Sequence, residues 1–376
     1  MVRRKHRFAY VGIGVAALVL TACAAPTDDK GDTPDDAGVN AKTATSAEDF
    51  GGMDELVKAA QEEGTLNVIA LPPDWANYGE IITAFSEKYD IEVNSAQPDA
   101  ASQDEINAAN QLKGTDRAPD VFDLGQSVAL ANTDLYAPYQ VETWDDIPAE
   151  FKDPDGAWVN DYGGFMSIGY DSAKVPEVGT LEDLLGGDFR GKVALNGDPT
   201  QAGAAFSGVV MAAVANGGSA DDIAPGVDYF KKLNDAGNFL PVDPTPATVE
   251  SGQTPVVIDW DYLNAALTEN LPTWKVVVPE GAAVAGYYFQ AINADAPHPA
   301  AARLWQEFLY SDEGQNLWLK GGARPVRADA MAEAGTIDQE LYDALPEVSG
   351  DPVIPSNEQT ETAAAYLAEE WAKVVG

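Results

Sequence analysis

Apolar and polar positions fall in blocks along this chain, and the block lengths predict its elements. A basic start (Arg3, Arg4, Lys5, Arg7) precedes an unbroken apolar run from Phe8 to Leu20, closed by Leu20-Thr21-Ala22-Cys23. That run is too short to cross about 30 Å of hydrocarbon comfortably. Charge, a short apolar core and then small residues predict an export signal over 1–22. Residues 24–50 hold almost no large apolar side chains. Such a segment cannot bury enough surface to offset its ordering entropy, so 23–52 is expected to be a flexible tether. Asp28-Asp29-Lys30-Gly31-Asp32 lacks the spacing of a calcium loop and reads as solvated spacer. Gly12 to Ala17 matches half a dinucleotide fingerprint, but inside an export signal it carries no cofactor.

From Met53 the pattern becomes α/β. A helix over Met53–Glu63 stops at Gly64, a C-cap candidate. Leu66–Leu71 reads as a buried strand broken by Pro72-Pro73. Ile81, Ile82, Phe85 and Tyr89 share one helical face. Strand Ile91–Val93, a polar helix near Gln103–Lys113 and strand Asp120–Leu124 complete a run that indicates a mostly parallel α/β sheet. Apolar strand pieces over Trp158–Tyr170 are split by Gly163-Gly164. A second run holds Val193–Leu195, an all-round apolar helix over Gln201–Asn216, a helix near Gly226–Asp235 and strand Val256–Ile258. Strands Trp274–Val278 and Gly286–Asn293 follow, then helices Pro299–Tyr310 and Ser311–Leu319 with start signals. Ser356–Val375 reads as one long surface helix.

Composition narrows the classes. The net charge is −39, and the signal holds four of the 22 Lys and Arg, so the remainder is more acidic still. Nucleic acid and anionic lipid surfaces are poor partners for such a chain. Cys23 is the single cysteine, which excludes disulfides and Cys-ligated metal elsewhere. About 325 ordered residues suggest two lobes rather than one core.

Leu-Thr-Ala-Cys resembles the lipobox of bacterial lipoproteins, which implies cleavage before Cys23 and lipidation of its thiol. Strand Leu66–Leu71, the following helix, Asp120–Leu124 and the late Pro297-His298-Pro299-Ala300-Ala301-Ala302 with Phe308-Leu309-Tyr310-Ser311-Asp312-Glu313-Gly314-Gln315 resemble bacterial solute-binding proteins. The similar group is the type II binding proteins of ABC importers, in the branch serving ferric iron, polyamines, thiamine and organophosphonates. The resemblance spans about residues 64–330. It implies two α/β lobes joined by two crossing strands, placed near Trp158–Tyr170 and Tyr287–Asn293. Lobe 1 would combine 53–160 with 285–376, and lobe 2 would span 161–284.

In such a fold the cleft is lined by loops at the carboxyl ends of strands. The first holds Asp74, Trp75 and Tyr78. The second holds Gln126. The third holds Asp198, Thr200 and Gln201, where Asp198-Pro199 also fits a helix N-cap, which would take the amides an anionic ligand needs. The fourth holds Asp259, Trp260, Asp261 and Tyr262. Its indole and flanking carboxylates suit an ammonium, although Trp260 also fits a core residue at a helix start and a ring that stacks on sugar. Tyr287 and Tyr288 are placed to reach in from the second crossing, with Tyr287 the one expected at the solute. Tyr287-Tyr288 resembles an iron-binding tyrosine pair, but neighbours on a strand face opposite ways. His298 is expected in a surface turn, and Arg324 and Arg327 in surface ion pairs.

The expectation is therefore a monomeric receptor, lipid-anchored through Cys23 to the outer face of the plasma membrane. It would hold a small solute, favoured as an organic cation such as a polyamine, and deliver it to an ABC permease. Ferric iron, phosphonate, thiamine or a sugar are the alternatives within that role. No nucleophile, metalloprotease or phosphate-loop motif is present, so an enzyme is not expected. A glycoside hydrolase using Asp259 and Asp261 is the alternative of another class. No metal and no cofactor are expected.

Overall fold

The structure is a computed structural model and describes residues 40–345 and 352–375; Cys23, the expected export signal and the spacer to residue 39 lie outside them. The expected free tether ends before Ala44. Ala44, Ala47 and Phe50 are buried in the core. Arg303 pins the segment, its Nε donating to the Ala44 carbonyl at 2.7 Å and its Nη2 to the Lys42 carbonyl at 3.0 Å. Two of the three buried side chains are alanines, and the arginine lies far along the chain, so the local pattern carries no trace of this docking.

Helix α1 (Met53–Glu63) ends at Gly64, whose φ of +71° closes the last turn. Strand β1 (Thr65–Ile69) leads through a loop to α2 (Tyr78–Tyr89), and β2 (Glu92–Ala96) returns parallel to β1. Then follow α3 (Ser102–Leu112), β3 (Val121–Leu124), the short α4 (Gln126–Ala131) and β4 (Tyr136–Ala137). The long strand β5 (Val159–Asp171) enters the second lobe, built from β6 (Val193–Leu195), α5 (Gly203–Ala215), α6 (Ala224–Asp235), α7 (Pro246–Ser251), β7 (Val256–Trp260), α8 (Asp261–Asn270) and β8 (Trp274–Val277). Strand β9 (Ala285–Asn293) leads back to α9 (Pro299–Leu309), α10 (Asp312–Lys320), β10 (Arg324–Pro325), α11 (Ala328–Ala334) and α12 (Gln339–Asp343). Helices α13 (Asn357–Glu370) and α14 (Ala372–Val375) end the description.

The main sheet runs β3-β9-β5-β7-β6. Residues 159–165 of β5 pair with β9, while residues 166–171 pair with β7 and β8. One strand thus serves both lobes, close to the expected first crossing. The crossing strands approach tightly at glycines: a Cβ on Gly163 of β5 would run into the Gly286 carbonyl of β9, so a larger residue there would push the lobes' shared strand off its neighbour. The sheets are α/β but not mostly parallel. Among the described strands only β1–β2 and β6–β7 pair in parallel, because both crossing strands run against their neighbours.

Three peripheral expectations need correction. The terminal helix is broken and inward-facing: α13 packs on α4, α14 on α6, and Thr360, Leu367 and Trp371 are buried. His298 is half-buried against Asp120, with Nδ1 2.9 Å from Oδ2. Arg327 is buried, its Nη2 2.6 Å from Asp146 and its Nη1 3.0 Å from Asp312. Among the described residues, no helix is long and apolar enough to cross a membrane.

Candidate functional site

The loop from β1 to α2 carries its Trp on a constrained backbone. Ala70, Ala76 and Asn77 all take positive φ without being glycine, a cost that persists only where surroundings over-determine it. Asn77 helps fix the loop by donating to the Leu317 carbonyl at 3.0 Å. The result sets Trp75 Nε1 2.7 Å from the Tyr162 hydroxyl, which donates in turn to Asp123 Oδ2 at 3.1 Å. Tyr78, the first residue of α2, donates to the same oxygen at 2.6 Å.

Asp123 faces Gln290 in register across β3 and β9. Gln290 Nε2 donates to the Tyr78 hydroxyl at 3.1 Å and to Asp161 Oδ2 at 2.9 Å. Asp161 and Tyr162 sit where the β5–β9 register shifts, and this bulge turns both side chains into the same buried network.

From the second lobe, the end of β7 brings Trp260 and the start of α8 brings Tyr262. Their rings lie nearly parallel at 6.4 Å, and Trp260 Nε1 donates to the Tyr288 hydroxyl at 3.3 Å. Tyr288 stacks on Tyr162 at 5.4 Å, Trp75 meets Tyr288 edge-on at 5.8 Å, and Trp318 stacks on Tyr162 at 4.2 Å. Rings from both lobes thus form one cage, packed on each other, with Asp123 behind it.

Burial sets the electrostatics. It pushes the carboxyls of Asp123 and Asp161 upward, and the charge of Asp123 raises Asp161 further. Glu105, whose Oε2 accepts the Asp123 amide at 3.1 Å, is pushed up by burial and then by Asp123. Desolvation likewise holds the Tyr162, Tyr262 and Tyr288 phenols neutral. Four buried polar atoms around the cage lack a partner among the described residues: Asp123 Oδ1, Gln290 Oε1, the Tyr262 hydroxyl and Trp318 Nε1. Two of the four only accept and a third can accept, so what the cage lacks is mainly donors.

The candidates named from sequence separate cleanly. Trp75, Tyr78, Trp260 and Tyr262 converge. Asp259 and Asp261 lie beside them but fasten the turn: Asp259 takes Asn196 Nδ2 and the Trp260 amide, both at 2.8 Å, and Asp261 takes the Phe165 and Tyr262 amides, both at 3.0 Å. Burial pushes Asp259 up to about 7. Asp74 is exposed. Gln126 turns away to the Pro355 carbonyl and Asn357. Asp198, Thr200 and Gln201 are exposed, and Asp198 closes a turn on Thr200 instead of capping α5, whose N-cap is Ala202. Tyr287 lies on the opposite face, 4.7 Å from Phe151, and Tyr288 takes the inward place. Sequence reasoning missed Asp123, Asp161, Tyr162 and Gln290, and of the Tyr287-Tyr288 pair it chose the wrong member. A charged residue inside the short buried strand Asp120–Leu124, and the parity of Tyr287-Tyr288, were the available signals.

Residues 119–344 match the family model of bacterial extracellular solute-binding proteins. No curated protein matches the chain. Among solved structures, a periplasmic binding protein of Actinobacillus pleuropneumoniae with fructose-6-phosphate bound is 18% identical, with 81% of this chain and 98% of that one covered at a TM-score of 0.64. A Listeria monocytogenes protein named for a spermidine/putrescine ABC transporter is 15% identical over 83% and 98%, at 0.62. Iron-bound HitA from Pseudomonas aeruginosa is 19% identical over 82% and 98%, at 0.59. At these identities the likeness is one of fold.

Proposed function

We propose that this chain, which belongs to the bacterial extracellular solute-binding proteins, captures an organic cation of the polyamine class and delivers it to an ABC importer. Its place is the outer face of the plasma membrane, held by a lipid on Cys23, which would leave the thiol no part in binding. The carrying observation is the unpartnered set around the cage, in which acceptors predominate: Asp123 Oδ1, Gln290 Oε1 and the Tyr262 hydroxyl. An ammonium brings only donors, and ring faces add attraction for its charge. A phosphate or phosphonate would bring more acceptors to a region already rich in carboxylates, and its charge would be repelled.

Closure follows from the same geometry. Trp75 reaches Tyr162 on the crossing strand, while Trp260 and Tyr262 come from the second lobe. A solute held by both groups favours the closed form over the open one by its differential affinity. The test is a thermal-shift screen with putrescine, spermidine, ferric citrate, thiamine, a phosphonate and fructose 6-phosphate. A ligand at 100 times its Kd stabilises by about 2.7 kcal/mol. Stabilisation by an amine alone supports the assignment. Stabilisation by an anion with none by amines overturns it.

A further inference from the structure

Behind the rings lie three buried carboxylates and, among the described residues, no cation between them. Asp123 and Asp161 are linked through Tyr78 and Gln290, with hydrogen bonds of 2.6, 3.1 and 2.9 Å, and Glu105 takes the Asp123 amide. The titratable groups facing Asp123 are Tyr78 from α2, Glu105 from α3, Asp161 and Tyr162 from β5, Tyr262 from α8, Tyr288 from β9 and Tyr310 after α9. Every one is an acid or a phenol. Arg324 acts on Asp261 and Tyr287 instead. Like charges at close range in a dry site cannot all ionise. Yet Asp123 Oδ2 accepts two phenols while Oδ1 stands without a partner.

We infer that the site gives up a proton held on the Asp123–Asp161 pair for each ammonium it takes in beside Asp123. The inference rests on the organic-cation reading above. One O–H bond of the pair breaks, its electrons stay on the carboxylate, and the proton leaves to solvent. The carboxylate oxygen then accepts an N–H of the ammonium. One positive charge replaces another, so the closed site keeps its net charge. Desolvation, which raises both aspartates, keeps the proton on the empty site near neutral pH.

The sign of the linkage follows. A ligand whose binding releases one proton binds tighter as pH rises, by about tenfold per pH unit until the empty pair has ionised. Neutral solutes of similar shape gain nothing from pH, so the proton also acts as a charge filter. Calorimetry of putrescine binding to the full exported chain, run at pH 6.5 in phosphate and in Tris, counts protons from the difference in heat. About one proton released per putrescine is expected, and none from Asp123→Asn, which binds at least tenfold more weakly. Difference infrared spectra of solute-free protein, wild type minus Asp123→Asn or Asp161→Asn, should show a protonated carboxyl at pH 7.

The outcomes separate the two claims. Putrescine binding with equal heats in both buffers overturns the exchange and leaves the cation reading intact. A protonated-carboxyl band in protein that binds no amine overturns the cation reading, and the exchange falls with it. Absence of the band in solute-free protein overturns the stored proton whatever binds.

Discussion

Asp120 and Asp123 lie three residues apart, both buried, and they are treated in opposite ways. Asp120 is satisfied on every side. Its Oδ1 takes the His298 amide at 2.7 Å, and its Oδ2 takes the Asn67 amide at 2.7 Å and faces the His298 ring at 2.9 Å. The nearby Glu63 accepts the Ala300 and Ala301 amides at the start of α9. Asp123 has two phenols on one oxygen and nothing on the other, with two further acids for company. The first arrangement ties β1, β3 and α9 together. The second holds back an acceptor, which the proposed cation would use. Burial alone therefore does not separate the two acids; what differs is the hydrogen-bonding capacity left unspent at Asp123.

The largest effect should fall on stability. Asp120→Ala strands the His298 ring and two backbone amides, and breaking such a buried pair costs about 3 kcal/mol or more. Urea unfolding reads that loss, and any solute that still binds the folded fraction should bind with near-normal affinity. Asp123→Asn should do the reverse, costing under about 1 kcal/mol while weakening amine binding at least tenfold. Equal stability losses in the two variants would erase the distinction.

Next in size is the cage itself. Trp260→Ala removes a desolvated ring face worth about 2 kcal/mol to a cation, or roughly thirtyfold in affinity. Tyr287→Ala is its control, since that ring packs on Phe151 across the strand. It should lower Tm without moving Kd, and a matched loss of affinity would show that the wrong face of β9 had been assigned to the solute.

How much of this was legible in the sequence depends on how local each cause is. Helices α1, α2, α9 and α10, and the two crossing strands, carry their own periodicity and caps, so they stand close to where the pattern puts them. Trp75 and Trp260 were visible as aromatic residues in loops at strand ends. Tyr162 was not, because the register shift between β5 and β9 that turns it inward has no signature within either strand. Asp198-Pro199 carries a good cap signal, yet the helix starts at Gly203. A Cβ on Gly203 would lie 2.8 Å from the Gly125 backbone, so close packing with the first lobe coincides with the helix start. The docked segment from Ala41 to Phe50 depends on Arg303, which no local window contains.

A smaller effect concerns pH. Burial raises Asp259, Glu307 and Glu63 to about 7 each in the folded chain. For a carboxyl raised on folding, the folded state holds its proton longer than the unfolded one. Its contribution is complete below the unfolded value near 4 and is lost as pH rises through 7. Tm should therefore be higher at pH 5 than at pH 8, by about 5 °C for a chain of this size. The double variant Asp259→Asn, Glu307→Gln should flatten part of that slope. Neither residue has an unpartnered oxygen in the cage, so the flattening should come without the proton release assigned to Asp123.

The smallest expected effect is at the third loop. Asp198 spends Oδ1 on the Thr200 amide and hydroxyl, at 2.8 and 2.7 Å, and stands exposed. An exposed turn of this kind contributes about 1 kcal/mol or less. Asp198→Ala should leave putrescine affinity within twofold and lower Tm by only a degree or two. A tenfold loss would mean that the loop swings inward once a solute is bound, and the unspent acceptors of the cage would then have to share the cation with a second carboxylate.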